Sequence, residues 1–334
     1  MVFHLLKPLR LCGEKQVLIE EEGFMIIDVH THLFGKGWVP KKFFYGVARF
    51  MTHEFAKQGI QESNEAVGDT IIESSDDPEG ESLLAEMDEA GIDKSVLLPV
   101  DFGVALGDPE VPIEEVNRNY AELAKKHPDK LIAFAGVDPR RKNSLDLFKQ
   151  CVEEWGMKGL KLHPCAGFYP NQKEVYLLLE KASDWKTPVL IHSGAMMVPL
   201  KSKYSQAVHF DDLGADFPDL PIIAAHSGGS VGYRQMISIM SVKLNIMADI
   251  SAWQVAADRN YPSFCRGLRD LFDFVEPGRI LFGSDSPSFR SIMTNSDWVQ
   301  LIKELPEKAA DGISFKEEEI TALLGGNARK LFNL

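Results

Sequence analysis

From residue 25 onward, short apolar runs alternate with longer stretches of helical periodicity. The runs fall at 25–30, 95–100, 131–137, 158–163, 188–192, 221–226, 244–250 and 279–285. From the second run on, successive starts lie 23 to 36 residues apart, room for one strand and its returning helix. Ser-Val-Leu-Leu-Pro-Val and Ile-Ile-Ala-Ala are apolar on both faces, which suits a parallel sheet covered by helices. Eight such units predict an α/β fold, a (β/α)8 (TIM) barrel with its chemistry at the C-terminal strand ends. Between the runs, Ile113, Val116, Tyr120, Leu123 and Ala124 mark a helix over 113–126 that stops before Pro128. Ser314 with Glu317 reads as a capping box for a helix through Leu324, closed by Gly325 and Gly326. Asn327 reads as the cap of a terminal helix through Phe332.

One connection breaks the spacing. About 50 residues separate the first strand from the helical stretch 81–90, with Trp38, Phe43, Phe44, Tyr45, Arg49 and Phe50 followed by an acidic, serine-containing segment. A long loop inside a compact domain is usually functional, so 33–80 is expected to form a lid-like insertion. The barrel pattern begins at Met25, so the chain divides into a short N-terminal appendage, 1–24, and one barrel domain, 25–334.

The chain has 334 residues, 45% hydrophobic, with 36 basic and 49 acidic side chains and a formal charge of −13. This is ample for a core, and the acidic balance disfavours a nucleic-acid partner. Four cysteines without CxxC pairing point to reduced thiols. No apolar stretch approaches a membrane span, and 1–16 makes a poor signal peptide because Lys7, Pro8 and Arg10 interrupt it. The expectation is a cytoplasmic protein with a small-molecule substrate and no membrane or nucleic-acid partner.

Asp28-Val29-His30-Thr31-His32 closes the first run. In a strand, residues i and i+2 face the same side, so His30 and His32 both point to the barrel axis, where two imidazoles can share a metal ion. A lone His-x-His is a weak signal. Here His192 ends the fifth run, His226 the sixth and Asp285 the eighth, so five metal-competent side chains share the strand ends of one barrel. Lys161 and His163 face inward together on the fourth strand. Arg49 and Arg290 could clamp a substrate carboxylate, and Trp253 could stack on a planar substrate or cap the barrel.

In this order Asp-Val-His-Thr-His, Lys-Leu-His-Pro, Val-Leu-Ile-His-Ser-Gly, Ala-His-Ser-Gly-Gly and Phe-Gly-Ser-Asp resemble the amidohydrolase superfamily. The match is closest to its amidohydrolase-related branch of metal-dependent hydrolases and aminocarboxymuconate-semialdehyde-type decarboxylases. It extends to Met87-Asp-Glu-Ala-Gly-Ile-Asp, Val137-Asp-Pro and Gly326-Asn-Ala-Arg-Lys-Leu-Phe. The resemblance implies that His30, His32, His192 and Asp285 bind one divalent ion, zinc or alternatively manganese. It places His226 just outside, polarising the substrate or moving a proton, with Asp285 and His226 the catalytic pair. In binuclear relatives a carboxylated fourth-strand lysine bridges two ions. Lys161 could do so with His226 on a second ion, or Lys161 and His163 could instead line the substrate pocket. Relatives of this kind often form homodimers.

Two reactions fit these residues. One is metal-dependent hydrolysis, with activated water attacking an amide, lactone or ester-like bond. The alternative is non-oxidative decarboxylation of a small aromatic or unsaturated acid. Some decarboxylases of the branch carry Glu-x-His where this chain keeps His30, and Lys-Leu-His-Pro is similar to hydrolase members, so hydrolysis is the expected activity. DNase relatives carry glutamate where this chain has Lys161.

Overall fold

The structure is a computed structural model that describes residues 24–334. The appendage expected over 1–24 lies, apart from Phe24, outside the described residues.

All eight apolar runs form strand, and every pairing is parallel. The strands are β1 (Ile27–Thr31), β2 (Lys94–Leu97), β3 (Leu131–Ala133), β4 (Ala135–Gly136), β5 (Leu160–Leu162), β6 (Val189–Ile191), β7 (Ile222–Ala224), β8 (Ile246–Asp249) and β9 (Ile280–Leu281). The third run is divided into β3 and β4 at Phe134. Its first half pairs with β2 and its second with β5, and Phe134 itself donates its N–H to Leu97 O. Closure comes from Val29 N–H to Phe282 O at 3.0 Å and a parallel bridge between Thr31 and Ser286. The result is a closed (β/α)8 barrel.

Alternation within each strand separates two cores. Ile27, Val29, Val96, Leu190, Ile223 and Leu281 fill the barrel interior, and the outward set packs under the helices. Among the described residues no helix is long and apolar enough to cross a membrane.

The insertion after β1 is built rather than loose. It holds helices α1 (Lys41–Lys57) and α2 (Asn64–Ser74) and leads to α3 (Glu81–Ala90). Ser63 caps α2 by accepting the Ala66 N–H. The two ends are tied by Asp77 N–H to Phe34 O at 2.7 Å. Gly46 lets α1 settle on the loop after β6, where a Cβ would stand 1.8 Å from Val198 O. Trp38 and Phe44 are buried beneath it.

The C-terminal helices differ from expectation. Ser314 does not cap. The first helix runs Glu317–Thr321, with Lys316 N–H held by Glu319 at 2.9 Å. Gly325 and Gly326 do not end it either, because a π-turn over Ala322–Gly326 leads straight into Asn327–Phe332. Asn327 instead donates to Pro277 O and Ile280 O. Gly325 is needed for close approach, since a Cβ there would lie 1.8 Å from Met25 O, just before β1. Gly325→Ala is therefore expected to cost about 1–3 kcal/mol through overpacking. A urea melt monitored by circular dichroism should show the lowered midpoint, and an unchanged midpoint would refute this packing.

Candidate metal centre

Each predicted metal-competent side chain reaches the same mouth of the barrel. His30 and His32 both turn to the mouth because the register of β1 shifts between Asp28 and Thr31, which breaks the strict alternation that places Ile27 and Val29 inside. Asp28 accepts the His30 and Ser284 N–H groups, each at 3.0 Å, and burial raises its carboxyl to about 7. His192 follows β6 directly, while His226 and Asp285 sit in the turns after β7 and β9. Both of these last two hold left-handed backbone, at φ 60° and 56°, which costs non-glycine residues energy unless the surroundings fix it. Asp285 N–H donates to His30 O at 2.8 Å. His226 N–H donates to Asp249, and the His226 carbonyl accepts from Trp253 Nε1, both at 2.9 Å.

Hydrogen-bond partners assign the protons on the rings. His30 Nδ1 lies 2.9 Å from Asp249 Oδ2, and His32 Nδ1 lies 2.6 Å from the Leu98 carbonyl. Both partners only accept, so each Nδ1 carries the hydrogen and each Nε2 keeps its lone pair, that of His30 facing the Lys161 ammonium at 3.2 Å. Burial, reinforced by the Lys161 charge, holds His30 well below the ordinary histidine range. Burial and the charges of His226 and Lys161 do the same for His192. Burial alone would raise the Asp285 carboxyl. Positive charge at the His30, His32 and His226 positions outweighs that and lowers it below the carboxylate range; neutral rings carry no such charge, so the site calls for a cation.

His32 Nε2 and Asp285 Oδ1 stand 3.2 Å apart, and His30 Nε2 stands 3.8 Å from the same oxygen. Bare imidazole lone pairs facing an anion repel unless a cation lies between them. The donor atoms of His30, His32 and Asp285 fall within 4.8 Å of one another. The Nε2 of His192 is buried without a hydrogen-bond partner. This donor set fits a divalent ion. His192 stands outside the 4.8 Å trio and is joined to the cluster through its Nδ1, 3.1 Å from His226 Nε2. A second trio, His30, His226 and Asp249, suits a metal poorly. The Asp249 oxygens are taken up by His30 Nδ1, the N–H groups of His226 and Ser251, and the Ser251 hydroxyl.

The other candidates divide. Lys161 is fully buried with its ammonium 3.2 Å from His30 Nε2, and burial lowers it to about 8. His163 faces the same space, its ring 5.9 Å from His192 and 5.1 Å from Phe102. Arg290 lines a small cleft that reaches His32. Its guanidinium is already engaged, by Glu86 at 3.2 Å and by Ser74 O. Arg49 lies exposed on α1. Trp253 offers no open face for stacking, being buried against Tyr233 and Phe264 behind His226. His226 has a protein partner on each ring nitrogen, Ser251 at Nδ1 and His192 at Nε2. This arrangement gives its Nε2 a neighbour to orient, and its Nδ1 also lies 4.0 Å from Asp285 Oδ2. Asp249 and Ser251 escape the sequence reading, although an aspartate at the end of an apolar run was the available signal.

A family profile described as Amidohydrolase matches residues 27–334. A 2-keto-4-carboxy-3-hexenedioate hydratase of Sphingobium sp. (strain NBRC 103272 / SYK-6) is 24% identical over 303 residues, 78% of this chain and 85% of that protein. An uncharacterized TIM-barrel protein of Bordetella bronchiseptica superposes with TM-score 0.68 at 20% identity, covering 92% of this chain and 98% of that one. A 5-carboxyvanillate decarboxylase of Novosphingobium aromaticivorans, complexed with manganese, gives 0.64 at 16% identity, covering 94% and 97%.

Proposed function

The chain belongs to the amidohydrolase family, and on that premise we propose that it is a metal-dependent enzyme that uses water against a small carboxylate-bearing molecule, hydrolysing an amide, lactone or ester-like bond. His30, His32, His192 and Asp285 would hold one divalent ion. Zinc suits three imidazoles and a carboxylate, and manganese can use the same donors. When bound, such an ion lowers the pKa of water toward ~7 and polarises a substrate oxygen.

The observation that carries this reading is the position of Asp285. Its Oδ1 stands 3.2 Å from His32 Nε2 and 3.8 Å from His30 Nε2, against the place the ion and its water would take, so it can accept a proton from attacking water and return it to a leaving group. Decarboxylation asks for the opposite, an acid holding a proton for carbon before carbon dioxide leaves. Addition of water to a carbon–carbon double bond, the kind of reaction named for the Sphingobium relative, would use the same base. Lys161 keeps most of its charge at neutral pH and faces the same space, so it can anchor a substrate carboxylate. His163 and Phe102 form a flat wall beside it.

The test is a screen of the zinc- and manganese-loaded protein against lactones, amides and unsaturated or aromatic carboxylic acids. Acid release, loss of double-bond absorbance and carbon dioxide are followed in parallel. Acid release without carbon dioxide is the expected result. Stoichiometric carbon dioxide from an aromatic or unsaturated acid would replace this reading with decarboxylation.

A further inference from the structure

We propose that Asp249 and Ser251, acting through His226, are positioning residues that set which nitrogen of His192 carries the ring hydrogen. The inference rests on the reading of His192 as a metal ligand. The Ser251 hydroxyl has one hydrogen and three neighbours that could take it: Asp249 Oδ1, His226 Nδ1 at 2.8 Å and His30 Nδ1 at 3.0 Å. The contact with Asp249 is the shortest of the three. All other groups on the two Asp249 oxygens are donors, the His30 ring N–H and the main-chain N–H groups of His226 and Ser251. The hydroxyl therefore gives its hydrogen to Asp249 and presents only lone pairs to the rings.

The consequence propagates through three groups. His226 Nδ1 then meets only acceptors, Ser251 Oγ and the Ser251 carbonyl at 3.3 Å, so it carries the ring hydrogen. A neutral His226 is left with a bare Nε2. That atom lies 3.1 Å from His192 Nδ1, and a hydrogen bond between them requires the hydrogen on His192 Nδ1. His192 Nε2 is then a bare, buried lone pair without a protein partner, the form a metal ligand needs. Reversing the Ser251 hydroxyl would reverse each step and put a hydrogen on His192 Nε2. Trp253 and Ser227 brace the same corner, through the His226 carbonyl and the Asp249 carbonyl.

The test uses the full-length chain with 15N-labelled histidine, before and after zinc is removed by a chelator. Long-range 1H–15N spectra read the tautomer of each ring, and zinc affinity is measured by chelator competition. His226 should carry its hydrogen on Nδ1 in both states, and His192 should do so even without zinc. Ser251→Ala, which leaves only the main-chain carbonyl at 3.3 Å to hold the His226 Nδ1 hydrogen, should shift both rings away from these pure forms and weaken zinc binding about 10–100-fold, while Ser251→Thr, which keeps the hydroxyl, restores both. A parent spectrum with the hydrogen on Nε2 of His226 or of zinc-free His192 overturns the inference, and this readout needs no variant to fold. Unchanged zinc affinity in a folded Ser251→Ala protein overturns it as well. If the parent chain binds no zinc, the metal reading fails, while the spectra still decide the tautomers independently.

Discussion

Replacing His192 by Ala is expected to abolish turnover and to strip most of the bound divalent ion from the protein. His192 stands outside the trio of His30, His32 and Asp285, yet its Nε2 is buried with nothing among the described residues to satisfy it. Burying such a nitrogen without a partner is unfavourable, and a metal ion is the partner that suits a bare lone pair. Removing one of three imidazoles leaves two nitrogens and one carboxylate, one donor fewer than this site offers, and opens the ion to solvent on the His192 side. The variant should fold, because the residue follows β6 and its side chain lies at the mouth, above the inner core. Metal content by inductively coupled plasma mass spectrometry checks the outcome. Full metal retention in a folded His192→Ala protein would remove His192 from the ligand set.

Asp285→Asn is expected to lower turnover by at least about 10³-fold, within the range for losing a general base, while the protein keeps its fold. Asparagine has nearly the same shape and tolerates the left-handed backbone that Asp285 adopts at φ 56°. What it lacks is the negative charge and the capacity to accept a proton. An amide oxygen can still approach a cation, so metal affinity should fall less than turnover does. Comparing kcat with metal content separates the two roles. Loss of activity only in proportion to lost metal would reduce Asp285 to a ligand, with the base elsewhere.

Much of this architecture is legible in the sequence because a buried parallel strand leaves a compact signature. Runs such as Ile222–Ala224 and Val189–Ile191 are apolar on both faces and end in histidine within two residues. That juxtaposition locates both the barrel and its mouth. The helix Ile113–Lys126 is legible for a related reason, its apolar stripe being long and its stop at Pro128 unambiguous.

Where the reading fell short, tertiary contact decided. Gly325 and Gly326 look like a helix stop, but Gly325 is there to admit the main chain at Met25. The segment after β1 gives little helical signal, yet Gly46 and Gly68 let α1 pack against Val198 and Tyr45 against α2. Trp253 had a substrate-stacking alternative that spacing could not exclude, and its burial and its hydrogen bond to the His226 carbonyl turn it toward the protein. The neighbours of His226, Ser251 and His192, depend on loop geometry that spacing does not carry. Asp249 ends an apolar run and so left a signal, but the role proposed for it and Ser251 depends on proton direction within a cluster assembled from four strand ends.

The most direct measurement is a crystal structure of the zinc-loaded protein with anomalous data collected on both sides of the zinc edge. The account predicts one anomalous peak per chain, bounded by the Nε2 atoms of His30, His32 and His192 and the carboxylate of Asp285, with His226 in contact with His192 and not with the ion. No peak at that place, a peak held by His226 and Asp249, or two peaks bridged at a carboxylated Lys161 would contradict it.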